Sequence, residues 1–253
     1  MNIALCQYNI AWEDKKTNRE QILSLTESSG ATRDVDWMVF PETTLTGFSP
    51  GSARSRLSEE DFDFFRNLAV RCGCALTFGG FHRRQNLCVT LDRRGKMMAR
   101  AAKIHLFTHS GEQKHCRPGN RVVPFSVSGM RVTPVVCYDL RFSYLFWDNA
   151  EKTDLFLVIA NWPAVRQSHW RTLLEARAIE NQAYVVGVNR IGESPHGRYE
   201  GGSAVIDPAG RTALDCGAQE GIFITEVSRE RVVRVRSEFP VIPDRKPRPQ
   251  ELR

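Results

Sequence analysis

Apolar and polar positions along this chain switch between two periods. Residues 2–8, 37–40, 75–78, 155–160, 184–188, 204–206 and 222–227 are short apolar runs of strand length. Other segments carry helical spacing. Residues 16–28 put Ile22 and Leu25 on one face, and Phe62, Phe65, Ala69 and Cys72 follow Ser58-Glu59-Glu60-Asp61, which resembles a capping box. Residues 170–182 form a third helical pattern, with Leu173, Leu174, Ala178 and Ile179 predicted to face inward. Residues 87–91 with 96–102, and 122–127 with 131–136, read as hairpins around Arg93-Arg94-Gly95 and Ser128-Gly129. Gly79-Gly80 reads as the close of the strand before it. Strands that both alternate with helices and pair as hairpins predict an α/β sandwich with mixed sheets, not a purely parallel sheet.

A chain of 253 residues buries roughly 70–75% of the surface its unfolded form exposes, so neither disulfides nor a metal are needed to build the core. The pattern shows no repeat and no low-complexity segment. We read one α/β domain over 1–253, ending in an extended, Pro-rich tail from about residue 240 that packs on a surface, its own or a second subunit's. Hydrophobic residues at 42% and charged residues at 25% exclude disorder and collagen-like folds. The net charge is +6, and the last ten residues hold four basic and two acidic side chains, which leaves the remainder thinly spread. That distribution suits the approach of an anionic small molecule and lacks the concentrated patch that nucleic acid requires. The longest clean apolar run, 155–160, is far short of the roughly 20 residues that cross a bilayer. Asn2, Gln7 and Asn9 interrupt the apolar start, which therefore does not read as a signal peptide. The seven cysteines are odd in number, contain no CxxC pair, and several lie inside apolar runs. They read as free thiols in a reducing compartment, the cytoplasm.

Three constellations carry chemistry. In Phe40-Pro41-Glu42-Thr43 an apolar strand presents a carboxylate at its carboxyl end, the edge where α/β sheets take ligands. Taken alone, Glu42 reads equally as a solvated loop acid. In Lys103-Ile104-His105-Leu106-Phe107 a strand delivers an ammonium into apolar surroundings, where it stabilises an oxyanion strongly; the alternative is an exposed strand-end lysine. His105 and His109 stand at i, i+4, but no further ligand follows at a recognised spacing, so no metal is expected. In Val135-Val136-Cys137-Tyr138-Asp139-Leu140-Arg141-Phe142 a buried strand ends on a cysteine followed at once by polar residues. A strand-to-helix turn of this kind fixes the backbone, exposes the sulfur and supplies nearby N–H groups. The other six cysteines are expected to be small buried hydrophobes.

Glu, Lys and Cys in this order resemble the carbon–nitrogen hydrolase family, the nitrilase superfamily. The resemblance runs along nearly the whole chain: Pro41-Glu42 with Thr46-Gly47-Phe48, the Lys103 segment, Gly111-Glu112 with Pro118-Gly119-Asn120, Cys137-Tyr-Asp-Leu-Arg-Phe142, Asn161-Trp162-Pro163, residues 176–184, Asn189-Arg190-Ile-Gly192 and Gly201-Gly202-Ser203. It implies a single-domain, four-layer α-β-β-α sandwich that pairs with a copy of itself, and a reaction with neither metal nor organic cofactor. It also implies roles. Glu42 is the general base, Cys137 the nucleophile, and Lys103 with the backbone N–H of Tyr138 the oxyanion donors, while Glu112 supports Lys103. Within the family the blocks look most like omega-amidases, which release ammonia from 2-oxo-dicarboxylic acid monoamides. Ala101-Ala102 before Lys103 departs from relatives that carry Tyr or Asp there. Arg141 reads either as the partner of a substrate carboxylate or as a structural ion-pair partner; Trp162 and Phe107 read as pocket walls or as core. Alternatives within the family are amidases of deaminated glutathione or of N-carbamoyl amines, and outside it a non-catalytic binding protein on the same fold.

Overall fold

The computed structural model describes residues 1–28 and 34–246. The first half of the chain supplies β1 (Asn2–Gln7), α1 (Lys15–Ser28), β2 (Trp37–Val39), α2 (Glu59–Cys72), β3 (Ala75–His82), β4 (Gln85–Leu91) and β5 (Met97–Ala102). After a short helix α3 (Glu112–His115), the second half supplies β6 (Phe125–Val127), β7 (Met130–Val136), α4 (Ser143–Trp147), β8 (Leu155–Ala160), α5 (Gln167–Asn181) and β9 (Tyr184–Asn189). Then come β10 (Ile191–Ser194), β11 (Gly197–Glu200), β12 (Ala204–Ile206), β13 (Thr212–Asp215), β14 (Gly221–Glu226) and α6 (Arg229–Glu238). Two six-stranded sheets result, ordered β14-β1-β2-β3-β4-β5 and β13-β12-β9-β8-β7-β6. Each has a parallel centre, β1-β2-β3 in one and β7-β8-β9 in the other, flanked by antiparallel strands. The mixed sheets agree with the sequence reading.

The period-2 alternation of the central strands assigns the layers. In β8, Leu155, Leu157 and Ile159 enter the core between the sheets, whereas Phe156, Val158 and Ala160 face Phe146 of α4 and Trp170, Leu174 and Ala178 of α5. In β1, Ile3 and Leu5 point between the sheets, while Ala4 and Cys6 pack with Ile22 of α1 and with Phe62, Phe65 and Leu68 of α2. Both faces of both sheets are therefore covered, giving the helix–sheet–sheet–helix order that the resemblance implied. The capping box is present: the Ser58 hydroxyl accepts from the Asp61 N–H and the Asp61 carboxylate accepts from the Ser58 N–H at 2.7 Å. Asp61 also pairs with Lys15 and Arg19, which ties α1 to α2.

Four sequence expectations change. β3 does not close at Gly79-Gly80 but runs through to His82, because the glycines serve close approach rather than a turn. A Cβ at Gly79 would lie 2.7 Å from the Thr43 nitrogen and 2.8 Å from the Glu42 Cα. The second hairpin has its turn at Ser128-Gly129, both at positive φ, but β6 begins only at Phe125. On α5, Ile179 is exposed; Arg177 is buried on the inward face, where its guanidinium donates to the Leu140 carbonyl at 3.0 and 3.2 Å. The tail is not simply extended: 242–244 form a helical turn, and Arg245 lies over the Trp147 ring and bonds the Glu180 carbonyl of its own chain. The rest of the tail, 247–253, lies outside the described residues. No helix among the described residues is long and apolar enough to cross a membrane.

Candidate active site

The carboxyl ends of β2, β7 and β8 open at the same edge of the sandwich, and the chain leaving β5 joins them. They deliver Glu42, Cys137, Asn161 and Lys103 to one cavity of about 370 Å³. Glu42 sits on a turn stapled to β3: the Thr44 N–H donates to the Gly79 carbonyl and the Gly79 N–H to the Thr44 hydroxyl, both at 3.0 Å. Cys137 stands at the end of β7 with φ 48°. A left-handed backbone at a residue with a Cβ costs on the order of 1–2 kcal/mol, so its neighbours must hold it.

Much of that hold comes from Asp139. Its carboxylate accepts from the N–H groups of Val136 (3.2 Å), Ile104 (3.2 Å) and His105 (2.7 Å), and lies 2.9 Å from His105 Nδ1. One buried side chain thus joins the Cys137 turn to the segment bearing Lys103. His105 is occupied by this clamp, by stacking on Phe142 and by the Tyr144 hydroxyl, which accounts for a histidine in that position without a metal.

Lys103 is 1% exposed. Its Nζ lies 3.2 Å from Glu42 Oε1 and 3.0 Å from Glu112 Oε2. Burial alone works against the ammonium, but the two carboxylates outweigh it and hold Lys103 well above its ordinary range. Glu112 is positioned in turn by the Phe107 N–H, donating to Oε2 at 2.6 Å. Asn86 Nδ2 donates to both acids, to Glu42 at 2.7 Å and to Glu112 at 2.9 Å. Asn161 grips Glu42 from the other sheet, its N–H donating to Oε2 at 2.8 Å and its amide to the Glu42 carbonyl at 2.5 Å. Burial, and next the charge of the Glu42 carboxylate, raise the Cys137 thiol well above its ordinary range, although Lys103 pulls the other way; the sulfur lies 3.9 Å from the Asn161 carbonyl. The N–H of Tyr138 lies in the first turn of the short helix 137–141, where no intrahelical acceptor exists.

The cavity brings together every catalytic and substrate-binding candidate from the sequence except Glu112, which stands behind Lys103. Phe107, half-buried, lines it; Trp162 is nearly fully buried yet contributes to the wall as well. Arg141 lies over the Trp162 ring, 4.7 Å from its centroid, and donates to His169 Nδ1. Among the described residues it has no carboxylate partner. Of the seven cysteines, six are buried and Cys137 alone is partly accessible. Sequence reasoning missed Asn86, the Asp139 clamp, Arg166, and the β10–β11 hairpin that brings His196 and Tyr199 to the cavity. Asn86 did leave a trace, as an amide in front of the apolar run Leu87-Cys88-Val89. Among the described residues no group of three or more His, Cys, Asp or Glu side chains is arranged to hold a metal ion.

Known proteins share both sequence and architecture. The profile of the family described as carbon-nitrogen hydrolase matches residues 2–237. The chain is 36% identical over 252 residues to omega-amidase YafV of Yersinia enterocolitica, covering 96% of each. It is 29% identical, again with 96% of each covered, to the 2-oxoglutaramate amidase of Bacillus subtilis. Among solved structures, a CN-hydrolase superfamily protein of Xanthomonas campestris with an arsenic adduct in its active site superposes with a TM-score of 0.91 at 31% identity, covering 98% of this chain and 97% of that one. A match of this extent, on a fold that seats a glutamate, a lysine and a cysteine around one cavity, places the chain in the carbon–nitrogen hydrolase family.

Proposed function

We propose that the protein is an omega-amidase, a thiol amidohydrolase that releases ammonia from a short carboxamide ending in a 2-oxo acid, 2-oxoglutaramate or 2-oxosuccinamate. The observation that carries the reading is the single cavity in which the Cys137 thiol meets Glu42 and Lys103 while Arg141 faces the same space without an acidic partner among the described residues. The omega-amidase relatives, similar over nearly their whole length, support it.

In the mechanism we infer, Glu42 takes the thiol proton as sulfur attacks the amide carbon. The carbonyl electrons move onto oxygen, which accepts from Lys103 Nζ and the Tyr138 N–H. The C–N bond then breaks, and Glu42 returns the proton to the leaving nitrogen as ammonia. A thioester remains on Cys137. Glu42 next deprotonates a water that attacks the thioester, and the expelled sulfur recovers its proton from Glu42. Two easier steps replace one difficult amide cleavage. Glu112 and Asn86 act on Lys103 and Glu42 as positioning residues, and Arg141 receives the carboxylate at the substrate's far end. The resemblance also supports a pair of identical subunits, and the buried free thiols favour the cytoplasm. A single monomeric species in sedimentation at micromolar concentration would remove the pairing.

The test is ammonia release from a panel of 2-oxosuccinamate, 2-oxoglutaramate, deaminated glutathione, an N-carbamoyl amine and neutral short amides. We expect the 2-oxo amides to give the highest kcat/KM, and a folded Cys137→Ala protein to release no ammonia. Preference for deaminated glutathione or the N-carbamoyl compound would overturn the substrate assignment. A folded Cys137→Ala protein with wild-type turnover would overturn the thiol mechanism.

A further inference from the structure

Arg166, in the loop between β8 and α5, has no role in the reading above, yet it lines the same cavity as Cys137. Its backbone is engaged: its N–H donates to the Pro163 carbonyl at 3.0 Å and its own carbonyl accepts from Trp162 Nε1 at 2.7 Å. Its guanidinium has neither a hydrogen bond nor an ion pair among the described residues. It rests on the face of Phe107, 5.5 Å from the ring centroid, as Arg141 rests on Trp162. Two cavity arginines are thus held on aromatic walls, Arg166 with its whole donor edge uncommitted and Arg141 with one nitrogen engaged by His169, an arrangement that limits the side-chain entropy lost on binding. They also repel each other: after burial, Arg166 is the main influence lowering the proton affinity of Arg141. An anion between them relieves that repulsion.

A carboxylate alone offers one edge with two oxygens, which a single guanidinium fork fills. A planar 2-oxo acid offers a second such edge, made by the oxo oxygen and the neighbouring carboxylate oxygen. We infer that Arg166 is a specificity residue that donates to this second edge while Arg141 takes the carboxylate edge, so that the site selects amides ending in a 2-oxo acid over amides ending in a plain carboxylate. The inference rests on the omega-amidase reading and adds to it the group that reads the oxo oxygen.

Three four-carbon amides separate the terms. 2-Oxosuccinamate carries both edges, succinamate replaces the oxo group by methylene, and butanamide carries no charge. Arg166→Gln should lower kcat/KM for 2-oxosuccinamate by about 10- to 100-fold, the range of a lost charged hydrogen-bond pair, chiefly through KM. Succinamate should fall by less than about threefold and butanamide should not change, so the 2-oxosuccinamate to succinamate ratio collapses. Arg166→Lys keeps the charge but not the fork, and should lower that ratio as well. An unchanged ratio in both variants overturns the role of Arg166, as does an equal loss on all three amides accompanied by an earlier thermal transition. If the wild-type enzyme itself shows no preference for 2-oxosuccinamate over butanamide, the omega-amidase reading fails first, and that result is separate from any effect of the variants.

Discussion

Replacing Asp139 by asparagine tests how the Cys137 turn is held. The carboxylate is 2% exposed, and its two oxygens divide the work. Oδ2 accepts from Val136 and Ile104, and Oδ1 from the His105 N–H, with His105 Nδ1 beside it. An asparagine has one acceptor oxygen, so an NH2 must face two of these groups whichever way the amide turns. The less costly orientation turns the NH2 toward His105, where Nδ1 accepts from it in one tautomer, so one buried backbone N–H is left without an acceptor at about 1–3 kcal/mol. At about 2–4 °C per kcal/mol for a chain of this size, the expected fall in Tm is around 6 °C. Activity should suffer more than stability, because the same carboxylate couples the Cys137 turn, with its positive φ, to the Lys103 segment. A displacement of about 1 Å between reacting groups costs about 10²-fold in rate. Differential scanning calorimetry with steady-state ammonia release, run at a temperature where the variant is fully folded, measures both. We expect kcat to drop about 10²-fold with KM little changed. A variant that keeps its wild-type Tm and turns over within about twofold of wild type would refute the clamp.

Lys103→Met keeps length but removes an oxyanion donor, and should cost about 10²–10³ in kcat; a loss confined to KM would contradict that role. Cys137→Ser should be nearly as inactive as Cys137→Ala, since a carboxylate base ionises a hydroxyl far less readily than a thiol; substantial turnover by the serine variant contradicts nucleophilic attack by sulfur. Iodoacetamide should modify one thiol in the native protein and seven after denaturation, because six cysteines are buried. With the Cys137 pKa raised by burial and by Glu42, its alkylation rate should keep climbing above pH 8.5, the free thiol value, and a plateau reached by pH 7 would reveal a resting thiolate. Dialysis against EDTA should leave turnover unchanged, and activity lost on chelation and restored by zinc would contradict the mechanism.

What the chain disclosed before its fold was known follows a physical division. Strands such as β8 were legible because one short apolar run can be buried only on both faces of a sheet. Glu42, Lys103 and Cys137 were legible because each ends or follows a strand, where side chains change from packing to chemistry. Gly79-Gly80 was misread because local sequence cannot distinguish a glycine that turns from one that makes room, and the Glu42 turn it makes room for lies over thirty residues away. Asn86 and Asp139 act through bonds spanning 26 to 44 residues, so a local pattern such as the amide before Leu87-Cys88-Val89 marks a position without naming its partners. Ile179 was turned inward by its hydrophobicity, but Arg177 occupies the inner position because its guanidinium caps the Leu140 carbonyl there.

The buried group of Glu42, Lys103 and Glu112 carries one ammonium between two carboxylates, a surplus of one negative charge. In the proposed first half-reaction that sum never changes. When the thiol proton moves to Glu42, the surplus passes to sulfur and then to the oxygen of the intermediate, while Lys103 and Glu112 stay as they were. A dry interior penalises the appearance of new charge far more than its relocation over a few ångströms. The electrostatic work of making this site is thus done when the chain folds around three ionised side chains. That half-reaction then only redistributes charge that is already inside.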